Sequence, residues 1–182
     1  MLIAFGAAFL LRKNYEFIIY VGVIIVCLAL IAATLFKARY SFATLIGLTV
    51  WSAMHLSGGT FHINGTLLYE IILIPLSQKY PILRYDQLVH TWGFAIATLT
   101  MFDVLRPLLK ENLKGYIALS IVVIMAGLGV GAFNEIVEAL VAVMVPESGV
   151  GDYVNTALDL IADLVGSILA MLFIKLRYLS FK

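Results

Sequence analysis

Pairs of ionisable side chains stand three or four positions apart inside long apolar stretches of the sequence. The pairs are Asp86 with His90, Glu135 with Glu138, and Asp159 with Asp163. Residues at this spacing lie on one face of an α-helix. An ionisable side chain inside a bilayer costs at least a few kcal/mol, and it usually faces the interior of a helix bundle or a wet cavity. The spacing therefore predicts three helices, each with a polar stripe that faces its neighbours.

These polar stripes are expected at a common depth in the membrane. With a rise of about 1.5 Å per residue, the two glutamates lie about 10 and about 15 Å from the nearer end of their helix. Asp159 and Asp163 lie at similar depths because the loop before their helix is short, and Asn155 stands one turn earlier. His90 is shallower, and His55 lies near the same end of an earlier span. The sequence thus predicts one ligand-binding polar pocket in one leaflet, lined by all of these residues.

Carboxylates buried this close together cannot all be ionised unless something compensates their charge. Shared protons, a bound cation or hydrogen-bond donors would each do so. The residues best placed for a metal ion are Glu135, Glu138, Asp159 and His90. Because carboxylates outnumber imidazoles among them, Mg²⁺, Ca²⁺ or Mn²⁺ suits this set better than Zn²⁺. A bound divalent cation, a structural polar network, and a pathway for a polar ligand or for protons are all open at this point.

The composition defines the solvent that surrounds these helices. Of the 182 residues, 63% are hydrophobic and 13% are charged, against roughly half apolar and a quarter charged in soluble domains. A chain of this length cannot hide so much apolar surface from water, so we expect an integral membrane protein. The net charge of +1 gives no sign of a nucleic-acid partner, and the single cysteine, Cys27, excludes an internal disulfide.

The apolar runs predict an all-α bundle in a single polytopic transmembrane domain over residues 1–182. A spanning helix needs about 20 apolar residues. Five spans are expected, of which the second is the shortest: 15–36, 41–57, 87–105, 116–145 and 153–174. The segment 63–77 contains Glu70 and Pro75 and is expected to form a re-entrant or interfacial helix, with a sixth span as the second-ranked alternative. Residues 1–11 are too few to cross alone and are expected to lie at the interface.

The distribution of lysine and arginine predicts how the bundle is inserted. One side of the membrane receives Lys37, Arg39, Arg106, Lys110, Lys114, Lys175, Arg177 and Lys182. The other side receives Arg12, Lys13, Lys79 and Arg84, together with Glu147 and Asp152. Because cytoplasmic loops carry the excess of basic residues, the N-terminus is expected outside the cell membrane and the C-terminus in the cytoplasm. The polar pocket then lies in the outer leaflet.

Two further patterns predict packing rather than chemistry. Asp103 and Arg106 are spaced to pair near the inner face of the membrane. Gly127 and Gly131 form a GxxxG pattern, which allows a neighbouring helix to approach closely. Because this pattern ends one turn before Glu135, it would bring that neighbour against the polar stripe.

Three motifs follow one another along the chain: RYDQLVHTWGF from Arg84, NEIVE from Asn134, and D-x-x-x-D-x-x-G from Asp159. In this combination, over about residues 41–174, the chain resembles the YjdF-type membrane proteins, which share features with the VanZ-like group. The resemblance implies shared functional positions, which here are Arg84, Asp86 and His90, then Glu135 and Glu138, then Asn155, Thr156, Asp159 and Gly166, with His55 upstream. Asn155 stands where the family has aspartate, and Asp163 stands where it usually has a small or apolar residue.

Three functions are compatible with these features. The favoured hypothesis is a membrane protein whose pocket binds or transports a lipid head group or another small polar ligand. The first alternative is a metal-assisted hydrolase or transferase acting on a lipid-linked substrate, in which Asp86 orients His90 as the acid–base group. The second is a structural or assembly subunit of a membrane complex. The VanZ-like group is linked to glycopeptide resistance, so the resemblance implies partners among membrane lipids and lipid-linked cell-envelope molecules.

Overall fold

The computed structural model describes residues 1–109, 116–146 and 148–179. Within these ranges the chain forms six α-helices: α1 (Leu2–Leu11), α2 (Tyr15–Ala38), α3 (Phe42–Gly58), α4 (Tyr85–Leu105), α5 (Tyr116–Met144) and α6 (Tyr153–Ile174). Some of the charged residues used to predict the orientation lie outside the described residues, namely Lys110, Lys114, Glu147 and Lys182.

The all-helical membrane fold expected from the apolar runs is confirmed. Among the described residues, four helices are long and apolar enough to cross a membrane: α2, α4, α5 and α6. The helix α3, counted as a span from the sequence, has 17 residues and is shorter than these four. The helix α1, which covers the segment expected at the interface, has 10 residues and packs against α2.

The segment 63–77 does not form the re-entrant or interfacial helix expected from the sequence. It begins instead with a β-hairpin, in which β1 (His62–Ile63) pairs antiparallel with β2 (Thr66–Leu67). The two residues of the turn, Asn64 and Gly65, have φ angles of 52° and 85°. Asn-Gly is the preferred pair for a turn of this kind, in which both central residues need positive φ. A short 3₁₀ turn at Leu68–Glu70 follows, and the chain then runs irregularly to α4.

The helix α4 lies at the centre of the bundle and contacts α3, α5 and α6, with its most extensive interface against α6. Gly166 explains how closely α6 approaches, because a Cβ at this position would overlap the backbone of α4 at Thr91. The glycines of the GxxxG pattern act in the same way on α5. A Cβ at Gly127 would overlap Thr98 of α4, and one at Gly131 would overlap Asp163 of α6. The close packing expected from that pattern is therefore present.

Two buried apolar clusters hold the two ends of the bundle. At the end where α2, α4 and α6 begin, the cluster joins α1, α2, α3 and α5 through Phe9, Phe17, Tyr20, Ile24, Leu56 and Val141. At the opposite end, the second cluster joins α4, α5 and α6 through Leu99, Phe102, Leu119, Val123, Met171 and Ile174. We call the first of these the cavity end, because the functional side chains described below open into a cavity there.

The expected pair of Asp103 with Arg106 is absent from the described residues, and each side chain has another partner. Asp103 is fully buried, and its Oδ2 accepts a hydrogen bond from the backbone N–H of Ser41 at 2.8 Å and another from the Thr44 hydroxyl. Arg106 stacks over the ring of Tyr178, 4.8 Å from its centroid. The prediction was wrong because the start of α3 supplies N–H and O–H donors that spacing along α4 does not reveal.

Candidate functional site

The first turn of α4 sets the positions of two predicted site residues. The backbone N–H of Arg84, just before the helix, donates to the side-chain oxygen of Gln87 at 2.6 Å. This bond satisfies a donor that the helix itself cannot satisfy and fixes where α4 begins. One helical turn then separates Asp86 from His90 on the same face, with Asp86 Oδ1 3.7 Å from His90 Nε2.

Four carboxylates from three helices surround the imidazole of His90. Besides Asp86 of α4, they are Asp163 of α6 at 2.9 Å, Glu135 of α5 at 3.9 Å and Glu138 of α5 at 4.0 Å. The His90 side chain is only 7% exposed. We call these five residues the His90 cluster. Of its four carboxylates, only that of Asp163 is close enough for a hydrogen bond with the ring.

The two ring nitrogens of His90 have different surroundings. Nδ1 donates a hydrogen bond to Asp163 Oδ1 at 2.9 Å. Nε2 makes no hydrogen bond to any described residue, and it faces Asp86 and Glu138 at 3.7 and 4.0 Å. Because a carboxylate that accepts from Nδ1 fixes the proton there, the lone pair of a neutral ring lies on Nε2. The cluster thus holds one imidazole nitrogen free for a proton, a cation or a ligand.

Asp159 lies fully buried beside the cluster and joins α4 to α6. Gln87 Nε2 donates to its Oδ1 at 3.2 Å, and Asn155 Nδ2 donates to its Oδ2. The same Asn155 nitrogen lies 3.3 Å from Asp86 Oδ2, while Arg84 Nη1 donates to the Asn155 oxygen at 3.3 Å. These contacts fix the orientation of the Asn155 amide, with its nitrogen toward the two acids.

On α5, an amide holds the glutamates of the cluster. Asn134 Nδ2 donates to Glu138 Oε1 at 2.7 Å and lies 3.5 Å from Glu135 Oε1. The second oxygen of Asp163, Oδ2, is buried and makes no hydrogen bond to any of the described residues. It lies where a Cβ of residue 131 would be, so only glycine leaves room for it. The GxxxG pattern therefore positions the carboxylates of α5 and α6 around a single ring.

The cluster opens into a cavity of about 630 Å³ at the cavity end of the bundle. Asp86, His90, Glu138 and Asn155 line one wall. Three cationic side chains also line the cavity, namely Arg12, Lys13 and Arg84. No ion pair within 4.0 Å joins these three to a carboxylate among the described residues. The cavity therefore offers both signs of charge to a bound molecule.

Another part of the cavity lining, which we call the aromatic wall, surrounds His55. Its ring centroid lies 5.4 to 5.8 Å from those of Phe17, Tyr20, Trp51 and Tyr69. The Tyr69 hydroxyl is 2.6 Å from His55 Nδ1. Burial, with a smaller contribution from nearby carboxylates, raises the pKa of the Tyr69 phenol well above its ordinary value. Because the phenol then keeps its proton, it donates to Nδ1, and His55 carries its own proton on Nε2.

The structure brings most of the predicted site residues together. Asp86, His90, Glu135, Glu138, Asn155, Asp159 and Asp163 form one contiguous polar network. His55 lines the same cavity from the aromatic wall and touches none of these carboxylates within hydrogen-bonding distance among the described contacts. Glu135, Asp159 and Asp163 lie behind the wall and do not line the cavity.

The residues proposed as metal ligands fall into two overlapping groups. Ligand atoms of Asp86, His90 and Asp159 lie within 4.8 Å of one another, and so do those of His90, Glu135 and Glu138. The predicted set of Glu135, Glu138, Asp159 and His90 is thus divided between two arrangements that share the imidazole. Asp86, which the sequence assigned to the pocket but not to the metal, belongs to the first of them.

Sequence reasoning missed several residues that shape the site. Gln87 follows Asp86 directly and stands three positions before His90, a spacing that could have placed it on the same side of α4. Tyr69 follows the unexpected hairpin, so nothing in the helical periodicity marked it. Arg12 and Lys13 were counted only for orientation, although they line the cavity.

Comparison with known protein families gives one match, over residues 1–179, to a family described as predicted membrane protein (DUF2238). The match covers nearly the whole chain and agrees with the helices that are long enough to cross a membrane. No curated protein and no solved structure matches the chain.

Proposed function

The chain belongs to the DUF2238 family of predicted membrane proteins, and we propose that it binds a polar ligand with an anionic group, such as the phosphate of a lipid head group, in the cavity beside His90. The observation that carries this proposal is the cavity itself. Its volume of about 630 Å³ falls within the range of roughly 300 to 1,000 Å³ found for ligand sites. In a chain so rich in apolar residues, a cavity lined by charged side chains calls for a polar occupant.

The cationic residues that line the cavity support an anionic group in that occupant. Arg12 and Lys13 are exposed, and Arg84 is half-buried. The Nε of Arg84 is buried and has no hydrogen-bond partner in the described part of the chain. The helices α2, α4 and α6 also begin at this end of the bundle. Helix N-termini carry partial positive charge and favour phosphate or carboxylate groups. The cationic side chains and the helix N-termini at this end of the bundle therefore both favour an anionic group.

The finer features of the proposal rest on sequence. The resemblance to YjdF-type and VanZ-like proteins favours membrane lipids or lipid-linked cell-envelope molecules as partners, by analogy of fold. The excess of lysine and arginine at the other end of the bundle favours an N-terminus outside the cell and a C-terminus inside. In that orientation the cavity opens toward the outer leaflet.

Native mass spectrometry of the purified chain in detergent tests this proposal. The protein is stripped of lipid and then incubated separately with phosphatidylglycerol, phosphatidylethanolamine, diacylglycerol and glycerol 1-phosphate. Binding of the phospholipids without diacylglycerol supports a phosphate-bearing head group. Binding of glycerol 1-phosphate as tightly as the lipids assigns a soluble phosphate ligand instead. Equal binding of all the lipids, or of none, would overturn the proposal.

A matched pair of double variants locates the binding in the cavity. Arg12→Gln with Lys13→Gln removes two cations beside the start of α2 and should weaken phospholipid binding about tenfold, because each exposed charge contact contributes up to about 1 kcal/mol. Lys37→Gln with Arg39→Gln makes the same change at the other end of α2, outside the cavity, and should leave binding unchanged. The two double variants are also matched in backbone conformation, because each includes one residue with positive φ: Lys13 at 55° and Arg39 at 54°.

A metal-assisted lipid hydrolase or transferase is the second candidate, and the hydrogen bond from His90 to Asp163 favours it. A metal-bound histidine commonly donates its other nitrogen to a carboxylate in this way. Release of a head group or an acyl chain from added phospholipid, measured in the presence of Mn²⁺, would support this reading. Lipid that binds and is recovered intact would support the binding protein.

A further inference from the structure

We infer that His90 Nε2, together with the carboxylates of Asp86 and Glu138, forms a divalent-cation site on the wall of the cavity. This inference concerns the same cavity as the proposed function but does not depend on it, because a cation could be held here with or without a bound lipid. Three features of the site support it: the direction of the free nitrogen, the carboxylates beside that nitrogen, and the local excess of negative charge.

The free nitrogen of His90 has the surroundings of a metal ligand. The ring is held by the hydrogen bond from Nδ1 to Asp163, at 2.9 Å. A histidine that binds a metal through one nitrogen almost always donates the other to a carboxylate, a carbonyl or water. The His90 side chain is 93% removed from solvent, since 7% is exposed, yet Nε2 has no hydrogen-bond partner among the described residues. It lies on the cavity wall, where an ion can reach it.

The carboxylates beside Nε2, those of Asp86 and Glu138, are held by amide donors, but each keeps one oxygen that accepts no described hydrogen bond. Asn155 lies against Asp86 Oδ2 and leaves Oδ1, the oxygen nearer the ring, without a hydrogen bond in the described part of the chain. Asn134 holds Glu138 Oε1 and leaves Oε2 free of described hydrogen bonds. Asp86 Oδ1 and Glu138 Oε1 lie 3.7 and 4.0 Å from Nε2. Asp86 and Glu138 belong to two different groups of ligand atoms that share His90. Because cation–ligand bonds of about 2.1 Å place neighbouring ligands about 3 Å apart, both carboxylates would have to move toward Nε2 and toward each other to share one ion.

The other carboxylates are less suitable as ligands. Both oxygens of Asp159 already accept hydrogen bonds from amides, and Asp159 does not line the cavity. Glu135 faces Nδ1, the nitrogen that Asp163 already engages. Asp159 and Glu135 therefore support the ion through the charge that they add, and Asp86 and Glu138 bind it.

The charge of the site also calls for a cation. Five carboxylates, those of Asp86, Glu135, Glu138, Asp159 and Asp163, meet around His90, while the nearby Arg84 donates to the Asn155 oxygen and, among the described contacts, to none of these carboxylates. Like charges in a poorly hydrated region repel strongly, and a divalent cation compensates two of them. One imidazole with two carboxylates and open positions suits Mn²⁺, which accepts oxygen and imidazole ligands.

The inference also assigns the two signs of charge to different residues of the cavity lining. The cation would sit between Asp86 and Glu138, and the cationic side chains of Arg12, Lys13 and Arg84 also line the cavity, so that a phosphate could contact both. This would explain how a wall of carboxylates can face an anionic ligand without repelling it.

Titration of the full-length, lipid-free protein with Mn²⁺ tests the inference directly. The protein is treated with EDTA, exchanged into metal-free detergent and titrated while bound Mn²⁺ is followed by electron paramagnetic resonance. The expected result is one bound ion per chain, with a pulsed-resonance signal from a directly coordinated imidazole nitrogen. No stoichiometric binding, or bound Mn²⁺ without the nitrogen signal, would overturn the inference, and neither outcome depends on a variant.

Substitutions in the same wall locate the ion. Asp86→Asn and Glu138→Gln should each weaken Mn²⁺ binding at least tenfold. Asp163→Asn removes the charge that supports the ring and should weaken it by about 10- to 100-fold while one ion per chain still binds. Glu70→Gln is the matched control, because Glu70 lines the same cavity but lies outside the His90 cluster. Equal losses in Glu70→Gln and Glu138→Gln would contradict the site.

The lipid experiment and the metal experiment test different claims, and either can fail while the other succeeds. Phospholipid binding without stoichiometric Mn²⁺ would remove the cation site and leave the binding protein. Stoichiometric Mn²⁺ with the imidazole signal, but without binding of any phosphate compound, would keep the cation site and remove the proposed function.

Discussion

The helix α4 carries one carboxylate near each of its ends, the half-buried Asp86 and the fully buried Asp103, and their surroundings differ. At the end away from the cavity, Asp103 stands alone, and its Oδ2 accepts from the Ser41 backbone and the Thr44 hydroxyl at the start of α3. At the cavity end, Asp86 meets His90 and the other acids of the cluster, and its Oδ1 accepts no described hydrogen bond. The first carboxylate is enclosed by the fold, whereas the second is open toward a cavity.

The comparison of Asp103 with Asp86 shows that a carboxylate on a membrane helix has to be interpreted from its hydrogen-bond partners. One carboxylate at a helix N-terminus is stabilised by N–H and O–H donors and by the helix dipole. Asp103 therefore contributes to folding even though its Oδ1 has no hydrogen-bond partner within residues 1–109, 116–146 and 148–179. The His90 cluster instead places four carboxylates around one imidazole. Repulsion among these carboxylates costs stability unless something compensates their charge.

Removal of the Asp103 carboxylate should have the largest effect on folding. Asp103→Ala leaves the Ser41 N–H and the Thr44 hydroxyl buried without an acceptor, and we expect a loss of about 3 kcal/mol in the free energy of unfolding. Unfolding in mixed detergent micelles measures it. Asp103→Asn keeps an acceptor and should lose about half as much. The folded fraction of either variant should bind Mn²⁺ and phospholipid as wild type does. Altered binding would contradict the distinction between the two ends of α4.

A smaller loss is expected where α5 meets α6. Gly131→Ala would place a Cβ against the Asp163 carboxylate, and overpacking of this kind costs about 2 kcal/mol. Gly129 lies on the same helix with nothing near its Cβ position, so Gly129→Ala should cost nothing and is the matched control. The same unfolding titration compares the two. Equal effects would mean that α5 does not approach the cluster as closely as described.

On the aromatic wall, Tyr69→Phe should cost about 1 kcal/mol, since it removes the hydroxyl that donates to His55. This wall also has a pH dependence. Because burial raises the pKa of Tyr69 in the folded state, the unfolded chain loses this proton first, near pH 10. The stability that Tyr69 contributes is therefore present below about pH 10 and is lost as the pH rises above it. A phenolate absorbance titration of wild type against Tyr69→Phe would show Tyr69 ionising only at higher pH than an ordinary tyrosine. Ionisation near pH 10 in the folded protein would contradict its burial.

The sequence predicted the helices well because the apolar runs leave few alternatives in a membrane. The boundaries of 153–174 agree with α6, and 116–145 ends one residue beyond α5. The hairpin at 62–67 was missed, although Asn64-Gly65 is its local signal. Glu70 and Pro75 in an apolar segment predicted an interrupted helix, but the Asn-Gly turn before them forms a β-hairpin instead.

The convergence of the polar stripes could be predicted in outline but not in its contacts. Spacing shows which residues share a helix face, so Asp86 with His90 and Asp159 with Asp163 could be paired within their helices. It does not show how neighbouring helices are rotated. For that reason the sequence could not reveal that Asp163 holds Nδ1 or that Ser41 and Thr44, rather than Arg106, engage Asp103.

The most direct test measures the free energy of unfolding of wild type and Glu138→Gln, each with and without saturating Mn²⁺. Without the ion, the variant should be at least as stable as wild type, because glutamine can still accept from Asn134 and one of the mutually repelling charges is gone. At about 100 times the dissociation constant, Mn²⁺ should stabilise wild type by about 2.7 kcal/mol and the variant far less. A variant that is much less stable without the ion, and that gains as much from Mn²⁺ as wild type, would show that the cluster serves the fold and would contradict a binding site.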